Sequence, residues 1–557
     1  MWYGITIGQV RFEKAGGQLR KTDQKQGFVQ GAMILMIGTV TVKVVSMLFK
    51  IPISNMLGGT GYSYFTNAYE IFNLISTIAT AGFPVAISKL VSENSVLGRY
   101  RDSRKIFRIS RLFFLLTGFL CMVVMILGAG TFAAMIPNPG ARLSIICLAP
   151  AVLTCCLMSA YRGYYQGMQN MYPTSISQII EAVTKMIFGL GLSGAVLYLT
   201  QREYETYGTV LGQSYAGQAQ AQAVIAQLAS GAAVLGVSLS TAAGLLYLMI
   251  RWRKKGDGVP DALVRQSPQP QRAGVLFKTI IVIAVPVCLG SLAVNFSGII
   301  DLMTVTGRLA EVMQTAPQAL LDCYGVNIPE AEIINNSVHN YLYGAYSGKA
   351  VVIANLVPAL TAGLAVSALP VVAESFAQGN RLRIPAGLGI SALAQEVCEL
   401  FFGYNSEVAI GAPLLQVLAI ASIFIALTAA INSLLQAVGR VSLPVKLILI
   451  GSLVKLAMNY ILVGIPQINI QAAPWSTLAC CLLVTVLSLI ALRQSVGELG
   501  VVSVFVKPLL AGLLCAAFAR LSHRHRFALC GAGLGSGGGA GLPDRPVFAQ
   551  SLQKRGH

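Results

Sequence analysis

The sequence predicts an all-α polytopic membrane protein of two six-helix lobes in a parallel pseudo-repeat, with one or two extra helices at the carboxyl end. Three observations predict it. The first is composition: 55% of the 557 residues are hydrophobic and 11% are charged, with a mean hydropathy of +0.68, whereas soluble domains carry about a quarter charged residues. A soluble chain this apolar could not hide its surface from water, so the bilayer is part of its solvent. The second is recurrence: apolar runs of membrane-spanning length, about 20 residues, follow one another along almost the whole chain, which a lone signal peptide does not explain. The third is an internal repeat spaced by six spans.

Taken in order, the spans fall at 28–54, 63–90, 107–134, 142–167, 172–200, 219–250, 275–302, 346–374, 409–436, 441–463, 471–492 and 500–519, with a weaker one at 385–402, thirteen in all. Gly and Pro inside them are tolerable, because neighbouring helices satisfy the freed backbone groups. The repeat relates Gly82-Phe83-Pro84-Val85-Ala86, ending the second span, to Ala368-Leu369-Pro370-Val371-Val372, ending the eighth. It also relates Gln166, Pro173 and Lys185 to Gln436, Pro444 and Lys455, with 19 residues from each Gln to its Lys. Six spans separate each pair, so the two copies share one orientation and the lobes are related by an axis along the membrane normal. The stretch from Pro84 to Gln166 is 82 residues and that from Pro370 to Gln436 is 66, so the second copy is short where its third span begins. The organisation is then 1–26 basic tail, 27–252 amino-terminal lobe, 253–274 linker, 275–495 carboxyl-terminal lobe, 496–521 thirteenth span and 522–557 disordered tail.

Charge gives the orientation. The net charge of +19 would suit nucleic acid if it were gathered on one surface. It sits instead in short clusters between spans: Arg11, Lys14, Arg20, Lys21 and Lys25 before the first, Arg99, Arg101, Arg104, Lys105, Arg108 and Arg111 after the second, and Arg251, Arg253, Lys254, Lys255, Arg265 and Arg272 after the sixth. Connection 55–62 is uncharged and 135–142 has one cation. By the positive-inside rule the amino terminus and 251–274 are cytoplasmic and 303–345 is external, and no nucleic-acid partner is expected. Eleven cysteines occur, eight of them within apolar runs; no CxxC or Cys/His spacing suggests a metal, and they read as small apolar residues between helices. No cofactor is expected.

The segments Lys50-Ile51-Pro52-Ile53-Ser54-Asn55-Met56-Leu57-Gly58-Gly59 and Ala81-Gly82-Phe83-Pro84-Val85-Ala86-Ile87-Ser88-Lys89-Leu90-Val91-Ser92-Glu93, with Tyr161-Arg162-Gly163-Tyr164-Tyr165-Gln166-Gly167 and Met171-Tyr172-Pro173, carry a family resemblance. The chain resembles the polysaccharide transporter family over about 27–520, and within it the stage V sporulation protein B-like branch of the MOP flippase superfamily, which includes the MurJ lipid II flippases. The resemblance implies a MATE/MOP-like fold, alternating access, and export of an undecaprenyl-diphosphate-linked saccharide across a bacterial cytoplasmic membrane for cell-wall, spore-cortex or polysaccharide synthesis. Its partners would be that polyprenyl-diphosphate-linked saccharide and membrane lipid, with H+ or Na+ as coupling ions. Members usually have fourteen helices, one more than is read here.

Such a cargo needs a polar path, because a diphosphate and a sugar cannot cross hydrocarbon unaided, and ionisable groups within spans are the first candidates to line it. Lys43 lies mid-span in the first helix, and falls fifteen residues before Gly58, where the resemblance implies a substrate-binding cation. Lys50, nearer the outer surface, reads as a snorkelling lysine. Arg162 ends the fourth span among Tyr161, Tyr164 and Tyr165. Lys185 can pair with Glu181 at i,i+4, whereas its repeat counterpart Lys455 has Gly451 there and reads as the freer cation. Lys43, Arg162, Lys185 and Lys455 are therefore the expected substrate contacts. Asp301 and Glu70 are the expected ion-coupling groups, Asp301 alternatively a cap of the seventh span.

A MATE-type cation-coupled multidrug exporter would want buried carboxylates, and the first span carries only lysines. An enzyme acting through Glu311, Asp322, Glu330 and Glu332 in 303–345 lacks any clustered motif. A non-transporting scaffold is the third rival. No GxxxxGK[ST] loop is present to hold nucleotide phosphates, so an ATP-free mechanism is expected; with no clustered acidic motif either, the chain is not expected to be an enzyme.

Overall fold

The computed structural model describes residues 28–496 apart from 216, 356, 357, 359–392, 438, 439 and 441. The first predicted span and most of the second form one element, α1 (Phe28–Thr80), broken at Gly58 with φ 64° and ψ −179°, a backbone conformation essentially reserved for glycine. Phe49 and Phe65 would sit about 24 Å apart along a straight helix, yet their ring centroids are 6.1 Å apart. The chain therefore doubles back, and the expected connection at 55–62 shrinks to one non-helical residue.

Gly82, left-handed at φ 40°, starts α2 (Phe83–Val96), with Pro84 in the first turn where its missing N–H costs nothing. A Cβ at Gly82 would strike the Ala284 carbonyl oxygen, so this residue permits a close backbone approach between the halves of the chain. There follow α3 (Tyr100–Leu127), α4 (Ala129–Met135), α5 (Arg142–Gly167), α6 (Tyr172–Tyr207) and α7 (Gln218–Lys255). A short antiparallel pair, β1 (Thr209–Val210) and β2 (Gln213–Ser214), joins α6 to α7, with Thr209 opposite Ser214. The linker carries α8 (Asp261–Gln266) and is tied to α3: Arg101 donates to the Val264 and Arg265 carbonyls at 3.0 and 2.9 Å, and Asp102 accepts from the Gln271 amide at 2.8 Å.

The carboxyl-terminal half opens with α9 (Ala273–Thr315), whose 43 residues run well past the expected end at 302. Asp301 thus lies inside a helix and does not cap one. Beyond its apolar run the helix continues through an Arg308–Glu311 ion pair at i,i+3. The segment expected as an external loop is largely helical too, with α10 (Pro317–Tyr324), α11 (Glu330–Ile334) and α12 (Val338–Ala345), followed by a π-turn at Tyr346–Ala350 and α13 (Val351–Ala354). Next come α14 (Ala394–Phe402), α15 (Ser406–Ala437), α16 (Leu443–Leu462) and α17 (Ala472–Val496). Pro173 and Pro444 occupy the first turns of α6 and α16, the local match that the repeat predicts.

Among the described residues, nine helical stretches are long and apolar enough to cross a membrane, the first being the continuous Met33–Val96. Most of the eighth span with Ala368–Val372, the start of the weak ninth, the span at 500–519 and the tails 1–26 and 522–557 lie outside the described residues. The bundle has two distinguishable ends, one bearing Gly58 and the other the 256–272 linker.

Candidate functional site

The six residues singled out in the sequence converge on one connected set of charges. Lys43 and Lys50 are two turns apart on α1 and share a face. Across from them on α6, Lys185 donates to Ser46 Oγ at 3.4 Å and its ammonium lies 5.6 Å from the Phe49 ring centroid. The charges of Glu181, Lys50 and Lys43 all act on Lys185. Glu181 is nevertheless not paired with Lys185 as expected. Its Oε2 meets Arg162 Nη2 of α5 at 3.0 Å, and Arg162 Nε donates to Ser177 Oγ at 3.0 Å. Arg162 is thus oriented by α6.

In the carboxyl-terminal half, Lys455 of α16 is buried, and its Nζ lies 2.6 Å from Asp301 Oδ2 and 3.1 Å from Ser297 Oγ on α9. The reading of Lys455 as the freer cation is therefore corrected: its acid comes from another helix, 154 residues away in sequence. Asn459, one turn on, donates to Asp301 Oδ1 at 2.9 Å and to Thr304 Oγ1 at 3.2 Å, and accepts from Ser476 of α17. Both carboxylate oxygens of Asp301 are thus used.

Glu70 connects the halves. It sits on the returning limb of α1, close enough to Lys50, Asp301 and Lys455 to interact electrostatically with each. A Cβ at Gly298 of α9 would lie 2.8 Å from Glu70 Oε2, so the carboxyl rests directly on the α9 backbone. The connected set comprises five cations (Lys43, Lys50, Arg162, Lys185, Lys455) and three carboxylates (Glu70, Glu181, Asp301). Lys50, read from the sequence as a snorkelling side chain, belongs to it.

One polar cluster escaped sequence reasoning. Lys349, in the π-turn and 0% exposed, pairs with Glu407 of α15 at 3.0 Å and donates to Asn55 Oδ1 at 2.7 Å. The Gly59 amide, freed by the break at Gly58, donates to Glu407 Oε1 at 2.6 Å. Tight backbone packing surrounds this cluster: a Cβ at Gly344 would meet the Gly59 carbonyl, and one at Gly348 would lie 2.7 Å from Ser54 Oγ. π-turns are rare and are often retained where function needs an irregular helix. Lys349 had a usable signal, a lysine inside the predicted span 346–374. Glu407 had none, since it precedes its apolar run.

The acidic residues weighed for an enzyme do not gather. Glu311 pairs with Arg308, Asp322 accepts from Gln318 at 3.4 Å, and Glu332 accepts from the Ser337 hydroxyl. Burial pushes the Glu332 carboxyl above its ordinary range, opposed by that hydroxyl. Among the described residues no group of three or more His, Cys, Asp or Glu side chains is placed to hold a metal.

Comparison with known proteins shows what the chain as a whole is similar to. Lipid II flippase MurJ of Bacillus subtilis (strain 168) is 26% identical over 482 residues, covering 82% of this chain and 80% of that protein. Stage V sporulation protein B of the same organism is 24% identical over 473 residues, covering 83% of each. Among solved structures, an inward-facing multidrug resistance MATE family transporter of the MOP superfamily aligns with TM-score 0.53 at 13% identity, over 84% of this chain and 100% of that one. That likeness shows the fold alone: an all-α arrangement of membrane helices like that transporter's. The family model for polysaccharide biosynthesis proteins matches residues 28–376, and the chain belongs to that family.

Proposed function

We propose that this protein is a flippase that exports an undecaprenyl-diphosphate-linked saccharide across the bacterial cytoplasmic membrane by alternating access of two lobes, 27–252 and 275–495. The observation that carries the reading is the charge balance of the connected set. Five cations against three carboxylates leave a surplus of two positive charges within membrane-spanning helices when all are ionised. Uncompensated charge at that depth is costly, and a diphosphate carrying about two negative charges neutralises it. A drug cation would add to the surplus.

Lys43 and Lys185 are the primary phosphate contacts, since neither is held in an ion pair among the described residues. Arg162 and Lys455 contribute by trading Glu181 and Asp301 for phosphate oxygens. Glu70 and Asp301, the carboxylates nearest the junction of the halves, are the sites where H+ or Na+ couples to movement. The amino terminus and the linker are cytoplasmic, so the packed Gly58 end faces outward and cargo enters from the linker side. The MurJ and stage V sporulation protein B relatives support this substrate class.

Purified protein in liposomes tests it. Protein-dependent translocation of a fluorescent undecaprenyl-diphosphate saccharide, lost in a Lys43→Ala/Lys185→Ala double variant that still reconstitutes, is the expected result. Protein-containing and empty liposomes translocating it at the same rate would reject the proposal.

A further inference from the structure

At the linker end, a basic cavity of about 360 Å³ opens between α3 and the end of α7. Arg104, Arg108 and Arg111 line it from one face of α3, four and three residues apart. Its aromatic wall is Phe107, stacked on Trp252 with ring centroids 4.2 Å apart. Arg104 is already neutralised, with Nε 2.5 Å from Asp257 Oδ2 and Nη1 3.2 Å from Asp261 Oδ1. Arg108 and Arg111 are exposed and form no ion pair with a carboxylate among the described residues; Arg111 lies over the Phe107 ring at 5.8 Å. The cavity thus presents two uncommitted guanidiniums, which suits a phosphate group.

Position selects the kind of phosphate. Phe113 of α3 touches Phe277 of α9 at 5.4 Å, so that side of α3 faces the other half of the chain. Arg111 is two residues earlier, about 200° around the helix, and therefore faces away from the junction of the halves. On the arginine side the helix continues through Leu115 and Phe119, 45% and 54% exposed, into the hydrocarbon region. A phosphate seated at Arg108 and Arg111 would have an apolar, lipid-facing stripe directly beneath it. We propose that this cavity binds the headgroup phosphate of an anionic phospholipid from the linker-side leaflet, with its acyl chains along Leu115 and Phe119. Basic pockets between membrane helices commonly hold anionic headgroups. The bound lipid would span α3 and the Gly256–Asp257 junction where α7 meets the linker.

Full-length protein in detergent, followed by thermal unfolding, tests this. Phosphatidylglycerol should raise the wild-type midpoint, and phosphatidylcholine should not. Arg108→Ala/Arg111→Ala should need roughly thirtyfold more phosphatidylglycerol for the same shift, from about a fivefold loss per basic residue. Arg108→Lys/Arg111→Lys should keep most of the response, which separates lost charge from a damaged fold. An undiminished phosphatidylglycerol response in the alanine variant overturns the proposal. So does an equal shift from inorganic phosphate alone, which marks a free-anion site. A shift produced by undecaprenyl diphosphate and not by phosphatidylglycerol overturns it as well, and reassigns the cavity to cargo.

Discussion

Glu407→Gln is the substitution from which the buried cluster at the Gly58 end can best be judged. Lys349 is fully buried, with its ammonium 3.0 Å from Glu407 and 2.7 Å from Asn55. At 3.0 Å the gross Coulomb attraction is roughly 5–6 kcal/mol for an effective dielectric constant of about 20, and desolvation of both ions offsets much of it. Removing one partner strands the other, at a net cost of about 3–5 kcal/mol. Glutamine keeps an oxygen for the Gly59 amide, so the loss reports mainly on the charge of Lys349. Removing both charges, as in Lys349→Met/Glu407→Gln, abolishes the stranded ion and should recover most of the stability. The assay is reversible unfolding in mixed micelles, analysed as a double-mutant cycle. Glu407→Gln within about 1 kcal/mol of wild type, or a double variant whose loss equals the sum of the singles, would refute the reasoning.

Three further outcomes are expected. Lys43→Ala should weaken cargo binding by roughly 10- to 150-fold, the worth of a charge-assisted contact, without lowering stability, whereas Lys455→Ala should also destabilise the protein by stranding Asp301; parallel transport and unfolding measurements separate them, and a fully stable Lys455→Ala would show the Asp301 pair to be inconsequential. Both Gln318 and Gln266 are exposed, as is the native Cys323, so in a Cys323→Ser background an impermeant thiol reagent applied to cells should label a cysteine at 318 and spare one at 266; the opposite pattern inverts the assigned sidedness. An inside-negative potential should speed export without ATP, since about two negative charges moving outward across 100 mV gain roughly 4–5 kcal/mol; an unchanged rate in vesicles with equal pH and Na+ on both sides removes the potential as the driver.

What the sequence made legible follows from contrast. A lysine within an apolar run is conspicuous, so Lys43, Lys185 and Lys455 could be named before any geometry was known. The repeat was equally visible, because Pro173 and Pro444 mark the same helix start in both halves. Partners were not visible. Lys455 reads as free from its own helix alone, whereas its carboxylate comes from α9, and Glu181 turns to Arg162 on α5 although Lys185 is one turn away. Helix ends misled for a related reason: α9 outlasts its apolar run, since its last turns need only helix-forming residues and a local Arg308–Glu311 pair, and this moved Asp301 from a supposed terminus to an interior position. A single glycine, Gly58, in a conformation closed to other residues replaces the eight-residue connection expected at 55–62.

The ion pairs described above all lie within one half or the other, and this bears on how the Gly58 end could open. Lys349 and Glu407 both lie in the carboxyl-terminal half, as do Lys455 and Asp301, while Arg162 and Glu181 both lie in the amino-terminal half. Rigid movement of one half against the other leaves all three ion pairs intact. At the Lys349–Glu407 cluster, the bonds that cross the junction are the donation from Lys349 to Asn55 and that from the Gly59 amide to Glu407. Each is a hydrogen bond to a charged group, worth about 1.5–3 kcal/mol, and entering water can replace both, because the ion that makes each bond keeps its counter-ion. A junction closed instead by an ion pair across the halves would lose on opening an attraction of roughly 5–6 kcal/mol at 3.0 Å and an effective dielectric constant of about 20, offset in part by rehydration of the two ions. Keeping the ion pairs within each half and only hydrogen bonds across this cluster lets the Gly58 end seal and still part; on the proposed function, the two bonds, about 3–6 kcal/mol together, are comparable to the roughly 4–5 kcal/mol of electrical work that the cargo would supply.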